Sequence, residues 1–123
     1  MKYFSVMRFS AEIELLQKYG AEVNSFCPDT FDPRGKKREV FSFTVADTEG
    51  WDEHHSKIIE VLKERGELIK RALRDGVDVQ LDIAIFREKD DTPIDYLYLT
   101  PECELLAGEL GLPTIFSIYS TDT

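Results

Sequence analysis

The stretch VDVQLDIAI at residues 77–85 decides the fold, because apolar and polar residues alternate along most of it. Alternation with a period of two is typical of a β-strand that buries one face. The apolar face comprises Val77, Val79, Leu81, Ile83 and Ile85. The opposite face carries Asp78, Gln80 and Asp82. The pattern predicts a strand with one side on the core and the other on an open sheet face.

The segment before this strand predicts a long helix from about Trp51 to Asp75. Apolar residues recur at helical spacing from Ile58 to Leu73. Gly66 lies inside this pattern, where glycine costs about 1 kcal/mol relative to alanine, so we expect a kink or a break there. Gly76 is expected to end the helix.

The segment after the strand predicts a hairpin followed by a helix and a closing strand. A charged turn at 87–92 leads into a second strand, Ile94 to Leu99, which we expect to pair with 77–85. The next helix begins at Thr100 as the predicted N-cap, with Pro101 at position N1, and Gly111 ends it. Residues 114–119 form the last predicted strand.

The N-terminal part predicts a strand at 3–9, a short helix capped by Ser10, a long loop at 24–38 and a strand at 40–46. The order is β-α-β-α-β-β-α-β in a single domain spanning 1–123. Its last six elements follow the split β-α-β order. We therefore expect an α+β fold with a mainly antiparallel, ferredoxin-like sheet and its helices on one face.

The charge balance limits the partners. The 24 acidic residues outnumber the 15 Lys and Arg residues, giving a net charge of -9. Such a chain repels nucleic acid and anionic membranes and attracts a basic protein, although solubility alone also explains the charge. No apolar run reaches membrane-spanning length, and two cysteines are too few for a disulfide scaffold. We expect a cytoplasmic monomer or small homo-oligomer.

Catalytic signatures are missing from the sequence. It contains no phosphate-binding glycine loop, no Gly-x-Ser-x-Gly elbow and no His-Glu-x-x-His pair. We therefore expect a protein that is not an enzyme and that needs no cofactor.

The densest polar cluster runs from Asp47 to His55. Adjacent helical residues diverge by about 100°, so His54 and His55 cannot both face one metal ion, and we predict no metal site. The favoured interpretation is a solvated first turn of the helix. Either histidine could in principle activate a serine or Cys27, whereas Cys103 is expected to pack in the core.

Arg34, Lys36, Lys37 and Arg38 form a basic cluster. With Gly35 it could hold a phosphate or a carboxylate. The alternative interpretation, a charged turn that prevents a neighbouring edge strand from pairing with another chain, is about as well supported as an anion site.

The open sheet face is the predicted binding surface, because acidic side chains there alternate with tyrosines. Carboxylates steer a cationic protein and tyrosines supply rigid contact area. An ordinary wet sheet face is the competing interpretation. The predicted partner-binding residues are Asp78, Gln80, Asp82, Asp90, Asp91, Asp95, Tyr96, Tyr98 and Tyr119.

The C-terminal third carries a family resemblance. The motif Leu99-Thr100-Pro101-Glu102, followed by Leu106-Ala107, Leu110-Gly111 and Ile118-Tyr119, resembles a small bacterial family called domain of unknown function 4279. The opening strand, short helix, Pro- and Gly-containing loop and long helix also look similar. The family supplies no catalytic residues to map.

In size and charge the chain also resembles bacterial immunity proteins, which cover the active surface of a toxin. The leading hypothesis is accordingly a non-enzymatic, immunity-like protein that neutralises a basic toxin, such as a nuclease, through its acidic surface. The alternatives are a small-molecule-binding or catalytic domain, using the His54 and His55 region or the basic loop, and a self-associating structural module.

Overall fold

A computed structural model describes residues 1–24, 31–32, 38–88 and 98–120. These residues form an α+β fold with three helices and five strands. In chain order the elements are β1 (Lys2–Glu12), α1 (Ile13–Asn24), β2 (Phe31–Asp32), β3 (Arg38–Thr48), α2 (Trp51–Arg74), β4 (Asp78–Arg87), α3 (Pro101–Leu110) and β5 (Thr114–Ser120).

The strands form one mixed sheet in the order β2-β3-β1-β4-β5. β1 lies at its centre and is antiparallel to both β3 and β4, whereas β4 and β5 are parallel. The prediction of a mainly antiparallel, ferredoxin-like sheet is therefore only partly matched. A parallel pair needs a crossover connection, and α3 lies between β4 and β5 in the chain.

The predicted hairpin does not form along β4. Residues from Leu81 to Phe86 pair with β1 on one side and with β5 on the other, so neither edge is left for a third strand. Leu99 is not in a strand, and residues 89–97 lie outside the described residues. Alternation identifies a half-buried strand, but it does not identify the strand's neighbours.

The first strand is longer than predicted. β1 continues through Ser10 to Glu12, because Ser10 pairs with Val40 and Glu12 pairs with Arg38. Ser10 is therefore a strand residue and not a helix cap. The register of β1 and β3 shifts at a β-bulge between Ser5 and Val6. Of the predicted loop at 24–38, residues 25–30 and 33–37, with Cys27 and most of the basic cluster, lie outside the described residues.

The helices pack on one face of the sheet. Alternate residues of β1, Met7 and Phe9 among them, join one buried cluster with Leu16 and Tyr19 of α1 and Ile58 of α2. Burial of this much apolar surface is the main stabilising term of such a domain. Cys103 is in the same cluster and is 1% exposed, which confirms its predicted packing role.

The helix boundaries follow local chemistry. α2 is one continuous helix from Trp51 to Arg74, so the break expected at Gly66 does not occur. α3 begins where the Thr100 side chain accepts the backbone N–H of Cys103, and it ends at Gly111, whose φ of 71° is left-handed. Both boundaries of α3 were predicted.

Candidate binding surface

The face of the sheet opposite the helices is the candidate binding surface, which we call the outer face. None of its side chains belongs to the buried core cluster, and all three described helices lie on the other side. The outer-face residues of the three adjoining strands are Lys2, Phe4, Val6, Arg8 and Ser10 of β1, Asp78, Gln80, Asp82, Ala84 and Phe86 of β4, and Ile115, Ser117 and Tyr119 of β5.

An ion pair lies at the centre of the outer face. The guanidinium of Arg8 donates to Asp82, and the Ser117 hydroxyl donates to the other carboxylate oxygen at 3.1 Å. The Asp82 side chain is 10% exposed, compared with 40% for Arg8. Asp82 thus lies on the face that the alternation predicted, but its carboxylate joins three strands and offers little surface to a partner.

The polar end of the outer face presents the remaining two predicted β4 residues. Asp78 and Gln80 are exposed, and together with Arg8, Ser10 and Val40 they line a groove of about 440 Å³. An exposed carboxylate beside a groove can accept hydrogen bonds from a cationic side chain.

The opposite end of the outer face is aromatic. The rings of Phe86 and Tyr119 stack with centroids 5.1 Å apart, and Tyr119 is 49% exposed. A second groove of about 310 Å³ lies beside them, lined by Phe86, Phe4, Lys2 and Asp47. The Lys2 ammonium lies 3.4 Å from the Asp47 carboxylate. This end combines flat apolar area with a polar rim, as protein interfaces do.

The outer face is less acidic than its sequence pattern suggested. Asp47, Asp78 and Asp82 are accompanied by Lys2 and Arg8, which form the two ion pairs just described. The alternation revealed only the β4 carboxylates, because the cations come from β1. Of the predicted acidic residues and tyrosines, Asp90, Asp91, Asp95 and Tyr96 lie outside the described residues.

Tyr98 lies away from the outer face, which corrects its predicted position. Its hydroxyl donates to Asp52 at 2.5 Å, and its backbone carbonyl accepts the Trp51 indole N–H at 3.1 Å. Its ring centroid is 5.7 Å from that of His55. Tyr98 therefore covers the first turn of α2, because the chain approaches α3 on the helix side of the sheet.

The two adjacent histidines are buried, so the prediction of a solvated first turn is wrong for both. His54 is 0% exposed and His55 is 4% exposed. His54 faces the sheet between Ser5 and Thr48, while His55 accepts the backbone N–H of Thr100 at 3.1 Å. A signal was present, because His54 is four residues before Ile58 and extends the apolar stripe of α2 by one turn.

The hydrogen bonds of His54 define its tautomer. The Thr48 hydroxyl donates its proton to the Gly50 carbonyl at 3.0 Å, so Thr48 Oγ1 accepts from His54 Nδ1–H at 2.9 Å. His54 Nε2 then accepts the Ser5 hydroxyl proton at 2.5 Å. Burial lowers the pKa of His54 to about 4, with Lys57 acting in the same direction and Asp47 against it.

This Ser5–His54 pair has the protonation state of a nucleophile and its base, but it lacks access. Ser5 is 0% exposed, so its hydroxyl oxygen cannot reach a substrate carbonyl. The cluster serves instead to satisfy polar groups under the aromatic rings of Tyr3 and Trp51, which lie 5.7 and 5.9 Å from the imidazole.

Metal ligands do not converge in the described ranges, where no group of three or more His, Cys, Asp or Glu residues could hold an ion. Among the helices of those ranges, none is long and apolar enough to cross a membrane.

Comparison with protein-family models, curated proteins and solved structures finds no match to this chain. The resemblance to the domain of unknown function 4279 family therefore stays a prediction.

Proposed function

We propose that this chain is a non-enzymatic, immunity-like cytoplasmic protein that binds and neutralises a basic protein toxin through the outer face. The observation that carries the proposal is the composition of that face. An aromatic end, where half-buried Phe86 stacks on exposed Tyr119, and an exposed carboxylate end at Asp78 flank a central ion pair on the side opposite the helices.

The aromatic end supplies the contact area. Tyrosine and phenylalanine bury large rigid surfaces with few rotatable bonds, so such residues are common at the energetic centre of protein interfaces. The stacked pair also leaves the Tyr119 ring in a defined position before binding, which lowers the entropy lost on association.

The charges supply orientation and speed. A net charge of -9 attracts a basic protein over distances of about one Debye length, roughly 10 Å at 0.1 M salt. Asp78 is the exposed carboxylate at the polar end, where a partner's lysine or arginine would contact it. Asp82 holds Arg8 in place and is assigned a positioning role.

The catalytic alternative has less support. One of its two candidate sites contains His54 and His55, which are buried in the interface between α2 and its neighbours. Most of the other candidate site, the basic loop, lies outside the described residues. Ser5, the hydroxyl within reach of His54, is buried as well. Binding by a rigid surface needs none of these three side chains to be exposed.

The first experiment uses the tagged chain as bait in a lysate of the organism that encodes it, with bound proteins identified by mass spectrometry. We expect one basic protein to be retained at about 0.05 M salt and weakened at about 0.5 M, because salt screens the attraction. Recovery of no partner, or of one whose retention is indifferent to salt, would overturn the proposal.

A charge reversal locates the interface. Asp78→Lys should weaken retention roughly tenfold or more, because it places a cation against a basic partner. The matched control is Glu60→Lys, which makes the same change at an exposed position on α2. Equal losses from both variants would assign the effect to net charge and not to the outer face.

A further inference from the structure

The edge strand β5 lacks the features that usually prevent edge strands from pairing. Its sequence TIFSIYS at 114–120 contains no charged residue and no proline. Natural edge strands are usually protected by such residues or by bulges. Within the described part of the chain, β5 pairs only with β4. Four large apolar side chains of β5 are exposed, namely Ile115, Phe116, Ile118 and Tyr119.

The ladder with β4 determines which backbone groups of β5 point away from the sheet. The Leu81 N–H donates to the Pro113 carbonyl at 3.0 Å, and Leu81 is the partner of Thr114 in the parallel register. Successive residues of a strand direct their N–H and C=O groups to opposite sides. Residues 115, 117 and 119 therefore bond to β4, and residues 114, 116, 118 and 120 direct theirs outward.

This strand is complementary to itself about Ser117. In an antiparallel pair of β5 strands with Ser117 on the twofold axis, Phe116 lies opposite Ile118 and Ile115 lies opposite Tyr119. Each is an aromatic–β-branched pair, which is a favourable cross-strand combination. The first pair falls on the helix side of the sheet and the second on the outer face.

The same register also matches the backbone. Phe116 and Ile118 both direct their N–H and C=O groups outward, so they form the closely spaced, doubly hydrogen-bonded pairs of an antiparallel ladder. Thr114 and Ser120 extend the ladder in the same way. A shift by one residue would set outward-directed groups against inward-directed ones, so the register is specified by both side chains and backbone.

We propose that two copies of this chain associate through antiparallel pairing of their β5 edges, centred on Ser117. Edge pairing leaves the sheet faces accessible, so the outer faces of the two copies lie side by side. The dimer is therefore compatible with the proposed function and does not depend on it. Each copy carries a net charge of -9, so the copies repel at a distance, while the paired strands themselves contain no charge.

Solution mass tests this proposal. The monomer has a mass of 14.2 kDa, and sedimentation equilibrium should show about twice that mass, with a tighter dimer at high salt because screening removes the repulsion. This salt dependence is opposite to that expected for a basic partner. A monomer at every concentration and salt tested would overturn the proposal.

A pair of matched variants locates the contact. Ile118→Lys should weaken the dimer roughly tenfold or more, because it places like charges near each other across the ladder. Leu105→Lys is the control, since Leu105 is equally exposed on α3, at 63% compared with 61% for Ile118. A dimer that survives Ile118→Lys with native circular dichroism would contradict the assignment.

Amide exchange gives a second readout that does not depend on a variant. The Phe116 and Ile118 amides should become protected as protein concentration rises, whereas the inward Ser117 amide should be protected at all concentrations. Ile118→Pro removes only an outward N–H, so it should abolish the dimer and leave the monomer folded. Unchanged exchange at Phe116 and Ile118 in a dimer would place the interface elsewhere.

Discussion

His54 is the residue whose burial has the clearest consequence. Its pKa is lowered from 6.5 to about 4, mainly by burial, so the folded state binds this proton more weakly than the unfolded state. Between those two pH values the unfolded chain carries more protons, and the free energy of unfolding falls as the pH falls. The contribution of neutral His54 to the free energy of unfolding is fully present above about pH 6.5 and is lost towards pH 4. It amounts to roughly 3 kcal/mol.

The comparison of the wild type with His54→Gln tests this linkage. Chemical denaturation at pH 7 and at pH 4.5 should show the wild type losing more stability than the variant, because glutamine has no titrating ring. We expect the variant to be less stable at pH 7 and the difference to shrink on acidification. A difference that stays constant across this range would show that His54 does not titrate as its burial requires.

At the level of single residues, the sequence predicted which face or layer a residue occupies better than it predicted the residue's contacts. Asp82 lies on the predicted face and Cys103 lies in the predicted core. The sequence did not reveal that Arg8 pairs with Asp82, because the two residues are 74 positions apart and meet only through the β1–β4 register. The polarity of His54 favours solvent, whereas its place four residues before Ile58 in the helical stripe favours the core, and the structure follows the stripe.

Among the elements, α2 offers a direct test of local packing. A Cβ added at Gly66 would lie 3.6 Å from Leu110 Cδ2, which is an ordinary van der Waals contact. Gly66→Ala should therefore raise the free energy of unfolding by about 0.5–1 kcal/mol, because alanine loses less backbone entropy in a helix.

Gly111→Ala is the control with the opposite sign. The left-handed φ of 71° at Gly111 strains any residue with a Cβ. The free energy of unfolding of this variant should therefore fall by about 1 kcal/mol. Urea denaturation of both variants measures the two effects. A destabilised Gly66→Ala variant would mean that the contact with Leu110 is tighter than the geometry indicates.

The elements themselves were largely predictable, while their pairing was not. The long helix, the strand at 77–85 and the α3 boundaries follow from periodicity and capping, which act within a few residues. The parallel β4–β5 pair and the continuation of β1 beyond Ser10 depend on contacts between distant segments. The local pattern favoured a hairpin between the strand at 77–85 and residues 94–99. In the sheet, both edges of β4 instead pair with β1 and β5.

For the whole molecule, the acidic charge is spread beyond the proposed binding surface. Glu53, Glu60 and Glu64 are exposed on α2, and the α3 acids Glu102, Glu104 and Glu109 are exposed as well. The overall charge therefore favours encounter with a basic protein from many directions, and we propose that the outer face provides the specific contacts. The sequence predicted this face from β4 alone, and it missed the cations that β1 contributes.

Growth rescue tests most directly whether the outer face neutralises a basic protein. The partner captured by the bait would be expressed in a heterologous host under an inducible promoter, together with the wild-type chain, Asp78→Lys or Glu60→Lys. We predict that the partner arrests growth, that the wild type and Glu60→Lys restore it, and that Asp78→Lys does not. Growth unaffected by the partner, or restored equally by Asp78→Lys, would contradict the account.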